Sequence, residues 1–471
     1  MSSSFTITRL GLLVLAAALA ACAVPNADRS IARSAAQPKP VIQAAEGPLS
    51  PAESDALLKR LGDGAEGSAI LQRHLKVEEA VAGSPLTADN TVEVLHDGEQ
   101  TFAAIGKAIA EARETINLEY YMIEDVDLKT PDGNAQALGA MLIAKLQHGV
   151  AVNIIYDGYG SSDTPDAFFD RLKAAGAKLL EFHPIDPNPA NVIEGNDRDH
   201  RKILVADGRI AITGGVNLSR SYESKSPGGD DDEEDSTTGL PAHWSDTSVR
   251  IEGPAVVEVQ KLFFAHWKEE GGTPLDEKPY FPKPVAKGDA VVRIIGSTPE
   301  QEISRYYVTL VSALRSAESK IWISNAYFVP TEDEVEALMV AARRGCDVRL
   351  LLPEKSDAEI AVEAARSHYS DLLRAGVKIY ETQNVVLHSK TIVIDGVWSA
   401  IGSSNFDHRS VLFNDEIDAV VLGRRTARDL EAIFKNGERK AKAIDRAHWE
   451  AQRPFADRFR SFFARLWEGL L

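Results

Sequence analysis

Cysteine is scarce in this chain, with Cys22 and Cys346 the two present in 471 residues. A metal site built on cysteine thiolates is therefore excluded. Positive charge is also short: 52 Lys and Arg face 70 Asp and Glu, for a formal net charge of −18. That balance works against a general nucleic-acid binder, which relies on clustered Lys and Arg to release counterions. A basic pocket inside an acidic shell stays compatible with it. Long apolar runs are missing as well, since Leu10 to Ala21 falls short of the roughly 20 residues that a membrane-spanning helix needs. What remains is ordinary for a globular protein, with 44% hydrophobic and 26% charged residues and room for two large domains.

The short apolar run follows Arg9 and ends in Leu19-Ala20-Ala21-Cys22. It resembles a bacterial lipoprotein signal, in which cleavage before Cys22 is followed by acylation of its thiol and new amino terminus. Residues 1–21 are then the signal peptide. Several acyl chains, each buried CH₂ contributing about 0.8 kcal/mol, would anchor the protein stably. Ala23 in place of Asp after the cysteine points, by the same resemblance, to the periplasmic face of the outer membrane. With Cys22 acylated, Cys346 has no partner within the chain, and the fold must stand without a disulfide. From Ala23 to about Pro51 the chain is rich in Ala, Pro and Ser without apolar periodicity. This composition predicts a flexible tether, placed with the lipidated cysteine at 22–65.

Beyond it, helical and strand patterns alternate. Phe102, Ile105, Ile109 and Ala112 have helical spacing, Ile116, Leu118 and Tyr120 alternate as in a strand, and Leu138 to Leu146 is helical again. Val150 to Tyr156 and Ala177 to Phe182 read as strands, with a helix between Pro165 and Gly176. The second half repeats the order: helices near 304–316 and 332–344, strands at Ile321–Ser324, Val348–Leu352 and Val377–Glu381. Such alternation predicts an α/β fold. Residues 224–239 carry six consecutive acids, Asp230 to Asp235, and read as a solvated loop, with a cation site as the alternative. The carboxy-terminal segment 441–471 places Phe455, Phe459, Phe462, Phe463, Leu466 and Trp467 near helical spacing. It either lies on a membrane interface or docks onto the body.

The most specific feature is a repeated pattern, His-x-Lys-x4-Asp. His200, Lys202 and Asp207 recur 188 residues later as His388, Lys390 and Asp395, and the same offset pairs Gly214 with Gly402 and Asn217 with Asn405. Five matched positions in one register mark an internal duplication. Each motif reads as a strand, with period two placing His and Lys on one face. Asp207-Gly208 and Asp395-Gly396 are hairpin turns that fold Gly and Asn back toward the histidine. Glycine permits close backbone approach there. Each hairpin thus presents an imidazole, an ammonium and an amide, a set suited to a phosphate group.

The paired motif, with Gly214-Gly215-x-Asn217 and Gly402-Ser403-x-Asn405 behind it, resembles the phospholipase D superfamily over residues 90 to 435. Gly402 to Ser410 followed by Asn414-Asp415-Glu416 is similar to bacterial cardiolipin synthases. So is Trp244-Ser245-Asp246 leading into Val249 to Pro254. The resemblance implies two duplicated α/β subdomains, at 66–285 and 286–440, each a mixed sheet flanked by helices. They would pack with pseudo-two-fold symmetry around a shared active site. It implies metal-independent and cofactor-free phosphatidyl transfer between membrane phospholipids such as phosphatidylglycerol and phosphatidylethanolamine, with no nucleic-acid partner; the motif leaves the acceptor open, and water in place of a lipid alcohol gives the alternative, hydrolysis of phospholipids to phosphatidic acid. One histidine attacks phosphorus and the other acts as acid, then base; the resemblance favours His200 as the nucleophile. Lys202, Lys390, Asn217 and Asn405 would stabilise phosphoryl charge, with Ser219 and Ser403 as weaker contact candidates. By the same analogy, an acidic residue beyond each hairpin orients that hairpin's histidine: Asp246 for the first, Glu416 for the second. Asp207 and Asp395, at the turns, take structural roles beside Gly214 and Gly402.

One outcome tests the leader directly. A globomycin-type block of signal processing should shift the protein's mobility, and Cys22→Ser should abolish lipid labelling; an unaltered pattern would remove the anchor.

Overall fold

The computed structural model describes residues 24–34, 40–62, 68–185, 196–223, 239–241 and 243–452. The leader, Cys22, all of the acidic segment but Gly239, and the aromatic carboxy end from residue 453 lie outside the described residues.

In the first half, β1 (Thr87–His96), β2 (Thr115–Tyr120), β3 (Ala151–Asp157), β4 (Lys178–Phe182), β5 (Lys202–Ala206), β6 (Ile210–Gly214) and β7 (Thr247–Glu252) form one sheet. Its spatial order is β4-β3-β2-β5-β6-β7-β1, with β2, β3 and β4 parallel and the other pairings antiparallel. In the second half the strands are β8 (Ala290–Ser297), β9 (Lys320–Asn325), β10 (Asp347–Pro353), β11 (Lys378–Thr382), β12 (Lys390–Ile394), β13 (Trp398–Gly402) and β14 (Asn414–Leu422). Their order, β11-β10-β9-β12-β13-β14-β8, repeats the first with the same pairing senses. Helices 97–111, 138–147, 166–174 and 255–269 correspond in order to 305–316, 332–343, 359–375 and 424–440. The parallel strands are joined by helices, as parallel pairing requires, and within each motif hairpin β5 turns directly into β6 and β12 into β13.

The two sheets meet at β1 and β8, which pair antiparallel across a register shift. An apolar layer lies between them: Ile203, Val205 and Val249 from one half pack with Val393, Ile401 and Ile417 from the other. These side chains alternate along their strands with the residues that face the helices, so both faces of each sheet are buried.

The expected tether over 22–65 is corrected by its described part. Asp28–Ser34 and Pro51–Gly62 are helical, with short strands at Gln43–Ala44 and Gly47–Pro48. Ile42 and Leu58 join the second-half core with Leu310 and Ile321. Ser50 and Glu53 form a reciprocal cap, the Glu53 carboxylate accepting from Ser50 N–H at 2.9 Å and Ser50 Oγ from Glu53 N–H at 3.3 Å. Such a box starts a helix despite the Ala- and Pro-rich surroundings. A few well-placed apolar residues suffice where a core is ready to receive them.

The boundary at 66 is corrected for the same reason. Helix Ser68–Val81 carries Ile70, Leu71 and Leu75 into the second-half core. It also buries Glu78 against Arg293 Nε (2.9 Å), Trp398 Nε1 (3.0 Å) and His74 (3.0 Å). Burial alone would raise the Glu78 carboxyl, but His74 and Arg293 outweigh it and hold it below the usual value. At the other end, Lys442–Ala443 pairs with β11, and Trp449 packs on Tyr369 with ring centroids 5.1 Å apart. The described part of 441–471 therefore docks onto the second half. Among the described residues no helix is long and apolar enough to cross a membrane.

The motif aspartates sit at the hairpin turns, where Asp207 and Gly208 have φ of 52° and 59°, and Asp395 and Gly396 have 52° and 65°. Both central residues in the left-handed region is the type I′ pattern, which matches the twist of the flanking strands. The carboxylates reach sideways to the start of the neighbouring antiparallel strand, β2 or β9. Asp207 accepts from the N–H groups of Arg113, Glu114 and Thr115 at 2.8–3.1 Å. Asp395 accepts from Glu318, Ser319 and Lys320 at 2.7–2.9 Å. Asp395→Ala leaves those donors without a protein partner and should lower the unfolding free energy by about 2–4 kcal/mol, read from urea denaturation. Unchanged stability would remove this role.

Candidate active site

Two short parallel ladders cross between the halves. Arg198–Asp199 runs beside Asn414–Asp415, and Val386–Leu387 runs beside Trp244–Ser245. They are two copies of one arrangement. In each, the segment entering a motif histidine pairs with the segment entering the other half's acidic residue. The ladders continue into the histidines themselves: His200 N–H donates to Asp415 O at 2.9 Å, and His388 N–H to Ser245 O at 2.7 Å.

This exchange corrects the expected pairing of acids and imidazoles. His200 Nδ1 lies 3.1 Å from both oxygens of Glu416, and His388 Nδ1 lies 2.8 Å from Asp246 Oδ2. Each carboxylate therefore serves the histidine of the opposite half. A carboxylate is acceptor-only, so it fixes Nδ1–H as donor and leaves Nε2 with its lone pair for the cavity.

The cavity between the halves has a volume of about 460 Å³ and is lined by both histidines, Asn217 and Asn405. Lys202 Nζ donates to His200 O at 2.7 Å, and Lys390 Nζ likewise contacts His388 O. The Lys390 ammonium also lies 2.8 and 3.2 Å from the two imidazole nitrogens of His388. Asn217 Oδ1 accepts from Met122 N–H at 3.3 Å, whereas Asn405 Oδ1 is buried without a protein partner. Ser403 is turned away from the cavity: its Oγ donates to Glu416 and accepts from Ile417 N–H. Ser219 caps the short turn 220–222. Gly214 (φ 147°) and Gly402 lie at the close approach of each hairpin to the next strand. A Cβ would stand 2.4 Å from Ser248 Cα at the first and 1.9 Å from Asp418 Oδ1 at the second.

Burial dominates the electrostatics. It lowers His200 to about 4 against the pull of Glu416, and it lowers His388 with the help of Lys390. Burial also lowers Lys202 to about 7 and Lys390 to about 8, the carboxylates nearby offsetting part of the loss. It would raise Glu416, yet His200, Lys202 and Ser403 hold that carboxyl at about 2. An entering phosphodiester supplies negative charge beside both lysines and favours their protonated forms. The site is therefore built to be completed by an anion.

Several residues here were not anticipated. Tyr222 OH lies 2.8 Å from His388 Nδ1, and Ser410 Oγ donates to Glu416 Oε1 at 2.9 Å. They occupy matching positions in the 188-residue register, so extending that register past Asn217 and Asn405 would have found them. Arg201, buried beside His200, bridges the halves by pairing with Glu119 (3.1 Å) and Asp415 (2.8 Å). Nothing in its sequence context separates it from a surface arginine.

Glu119, Asp199 and His266 bring possible metal-ligand atoms within 4.8 Å of one another. Arg201 already stands against Glu119. His266 is pushed up to about 9, because Glu119 and Asp199 outweigh its burial. The positive charge this cluster needs comes from its own side chains.

A duplicated α/β fold with two His-x-Lys-x4-Asp hairpins on one cavity is the architecture of a phospholipase D-like protein. Residues 105–226 and 310–437 match the family described as "Cardiolipin synthase, PLD-like domain". A cardiolipin synthase of Geobacillus thermodenitrificans is 36% identical over 393 residues, covering 82% of this chain and 74% of that protein. One from Geobacillus kaustophilus is 35% identical over 403 residues, covering 84% and 76%. The crystal structure of a phosphatidylserine synthase from Haemophilus influenzae shares the fold, with a TM-score of 0.58 at 12% identity over 84% of this chain and 99% of that one. The chain belongs to the cardiolipin synthase family of phospholipase D-like proteins.

Replacing the carboxylate that orients His200 is the most informative substitution. Glu416→Gln should lower kcat on the order of 10³-fold by misorienting the imidazole. Tyr222→Phe, which removes one hydrogen bond to the other histidine, should cost about tenfold. Equal and small effects would contradict the assigned positions.

Proposed function

We propose that this chain is a phosphatidyltransferase that joins a phosphatidyl group to phosphatidylglycerol and so makes cardiolipin. The observation that carries this reading is the convergence of both imidazoles on one cavity, each held by a carboxylate of the opposite half. The kinship with cardiolipin synthases supports the choice of substrate class.

One imidazole attacks phosphorus through Nε2, forming a P–N bond as the P–O bond to the departing headgroup breaks. The other, favoured as imidazolium by the bound phosphodiester anion and its own carboxylate, gives its Nε2 proton to the leaving oxygen; it then takes the proton of the incoming hydroxyl, which attacks phosphorus as the P–N bond to the first imidazole breaks. Lys202, Lys390, Asn217 and Asn405 carry the charge that develops on the phosphoryl oxygens. The phosphatidyl donor is a second phosphatidylglycerol or phosphatidylethanolamine. The acylated Cys22 would hold the domain at the periplasmic face of the outer membrane, within reach of both lipids.

Incubation of the protein with phosphatidylglycerol, with and without phosphatidylethanolamine, should yield cardiolipin by mass spectrometry of the lipids. Phosphatidic acid as the sole product would overturn the transfer reading in favour of hydrolysis. His200→Ala and His388→Ala should each abolish turnover. Full activity in either would contradict the shared-site mechanism.

A further inference from the structure

The duplication is broken at one corner of the cavity. Applying the 188-residue register, Arg198 corresponds to Val386 and Arg409 to Ser221. Both departures add a guanidinium, and both lie where Arg198–Asp199 meets Asn414–Asp415. At the other ladder Arg198 is matched by Val386, and Trp244 stands opposite Val386 where Asn414 stands opposite Arg198. Arg198 and Arg409 line the same cavity as the two histidines. They are half-buried where the imidazoles are buried, which puts them toward its rim.

The two arginines are held in place. Arg198 N–H donates to Phe413 O at 3.1 Å, and its guanidinium donates to His183 O at 3.0 Å, lies 3.7 Å from Asp157 and stacks over Tyr159 at 5.3 Å. Arg409 donates to Asn196 Oδ1 at 3.0 Å and Asn196 O at 2.7 Å, a link that crosses the halves. The carboxylates that line the cavity, Asp357 and Asp407, belong to the second half, and Tyr327 OH donates to Asp357 at 2.8 Å. The two guanidiniums therefore sit together at this corner of the lining, with Asp157 beside Arg198 and Asp407 beside Arg409.

Spacing supplies the ligand. Arg198, His200 and Lys202 are alternate residues of an extended segment, so they share a face at intervals of about 7 Å. Phosphoryl transfer occurs at His200 and Lys202. A second anion one interval outward matches the length of the three-carbon glycerol bridge of phosphatidylglycerol, whose reacting hydroxyl lies at one end and whose own phosphate lies at the other. We propose that Arg198 and Arg409 form a second phosphate subsite that binds the phosphate of the acceptor lipid. The planar guanidinium suits phosphate by bidentate donation. This proposal rests on the cardiolipin-forming reading and deepens it: the subsite favours a phospholipid alcohol over water or a simple alcohol.

The test is a partition experiment with the full-length protein. Phosphatidylglycerol vesicles with added n-butanol let lipid and butanol compete for one phosphatidyl-enzyme, giving cardiolipin and phosphatidylbutanol. Arg198→Gln and Arg409→Gln should each lower the ratio of cardiolipin to phosphatidylbutanol at least tenfold. Because it is a ratio, partial loss of folded protein cancels. An unchanged ratio in both variants, with wild type making cardiolipin, overturns the subsite alone. Wild type that makes phosphatidylbutanol and never cardiolipin overturns the proposed function, and the subsite with it.

Discussion

Each motif imidazole takes its backbone position from one half of the chain and its carboxylate from the other, and the rest of the site follows from that exchange. The two crossing ladders impose it. Pairing Arg198–Asp199 with Asn414–Asp415 delivers Glu416 to His200, and pairing Val386–Leu387 with Trp244–Ser245 delivers Asp246 to His388. The apolar layer shared by the sheets, with Ile203 and Val205 against Val393 and Ile401, keeps the ladders in register. Neither half alone holds an oriented histidine. The duplication is thus an obligate pair, and its interface and its active site are the same object.

Burial gives that pair its chemical character. Two imidazoles, two ammonium groups and two carboxylates are withdrawn from water together, which disfavours every charged form that lacks a partner. Glu416 finds its partners in His200, Lys202 and Ser403 and stays ionised. The lysines are drawn toward neutrality, a pull relieved by an anionic substrate. A neutral imidazole suits attack on phosphorus, and an imidazolium favoured by the bound anion suits proton donation to the leaving group. Beside them, Arg201 neutralises Glu119 and Asp415 across the interface, so the buried acids near the ladder do not repel one another apart.

Much of this was legible in the sequence. The strand period of β5 and β12, the Asp-Gly turns and the 188-residue register locate the histidines, lysines, asparagines and glycines without coordinates. Helices 138–147, 166–174, 305–316 and 332–343 and the parallel strands of both halves also fall where periodicity puts them, within a residue or two, whereas helices 255–269 and 424–440 were not read from the sequence. The crossing of the carboxylates was not legible. Distance along the chain says how far Glu416 lies from His388, but not which sheet edge its strand will border. Tyr222 and Ser410 were within reach of the register argument, whereas Arg201 and the packing of Ile42 and Leu58 depend on a neighbour that local sequence does not display. The part of the chain read as a tether shows how little apolar surface is needed once a helix is capped and a core stands ready.

The exchange of carboxylates is tested most directly by histidine ring titration, followed by NMR in the full-length protein and in two variants. Removing a carboxylate that stabilises an imidazolium lowers the pKa of the imidazole it touches. Glu416→Gln should therefore lower the pKa of His200 and leave His388 in place, while Asp246→Asn should lower that of His388 and leave His200. The opposite assignment, with each acid acting on the histidine of its own half, would contradict the account.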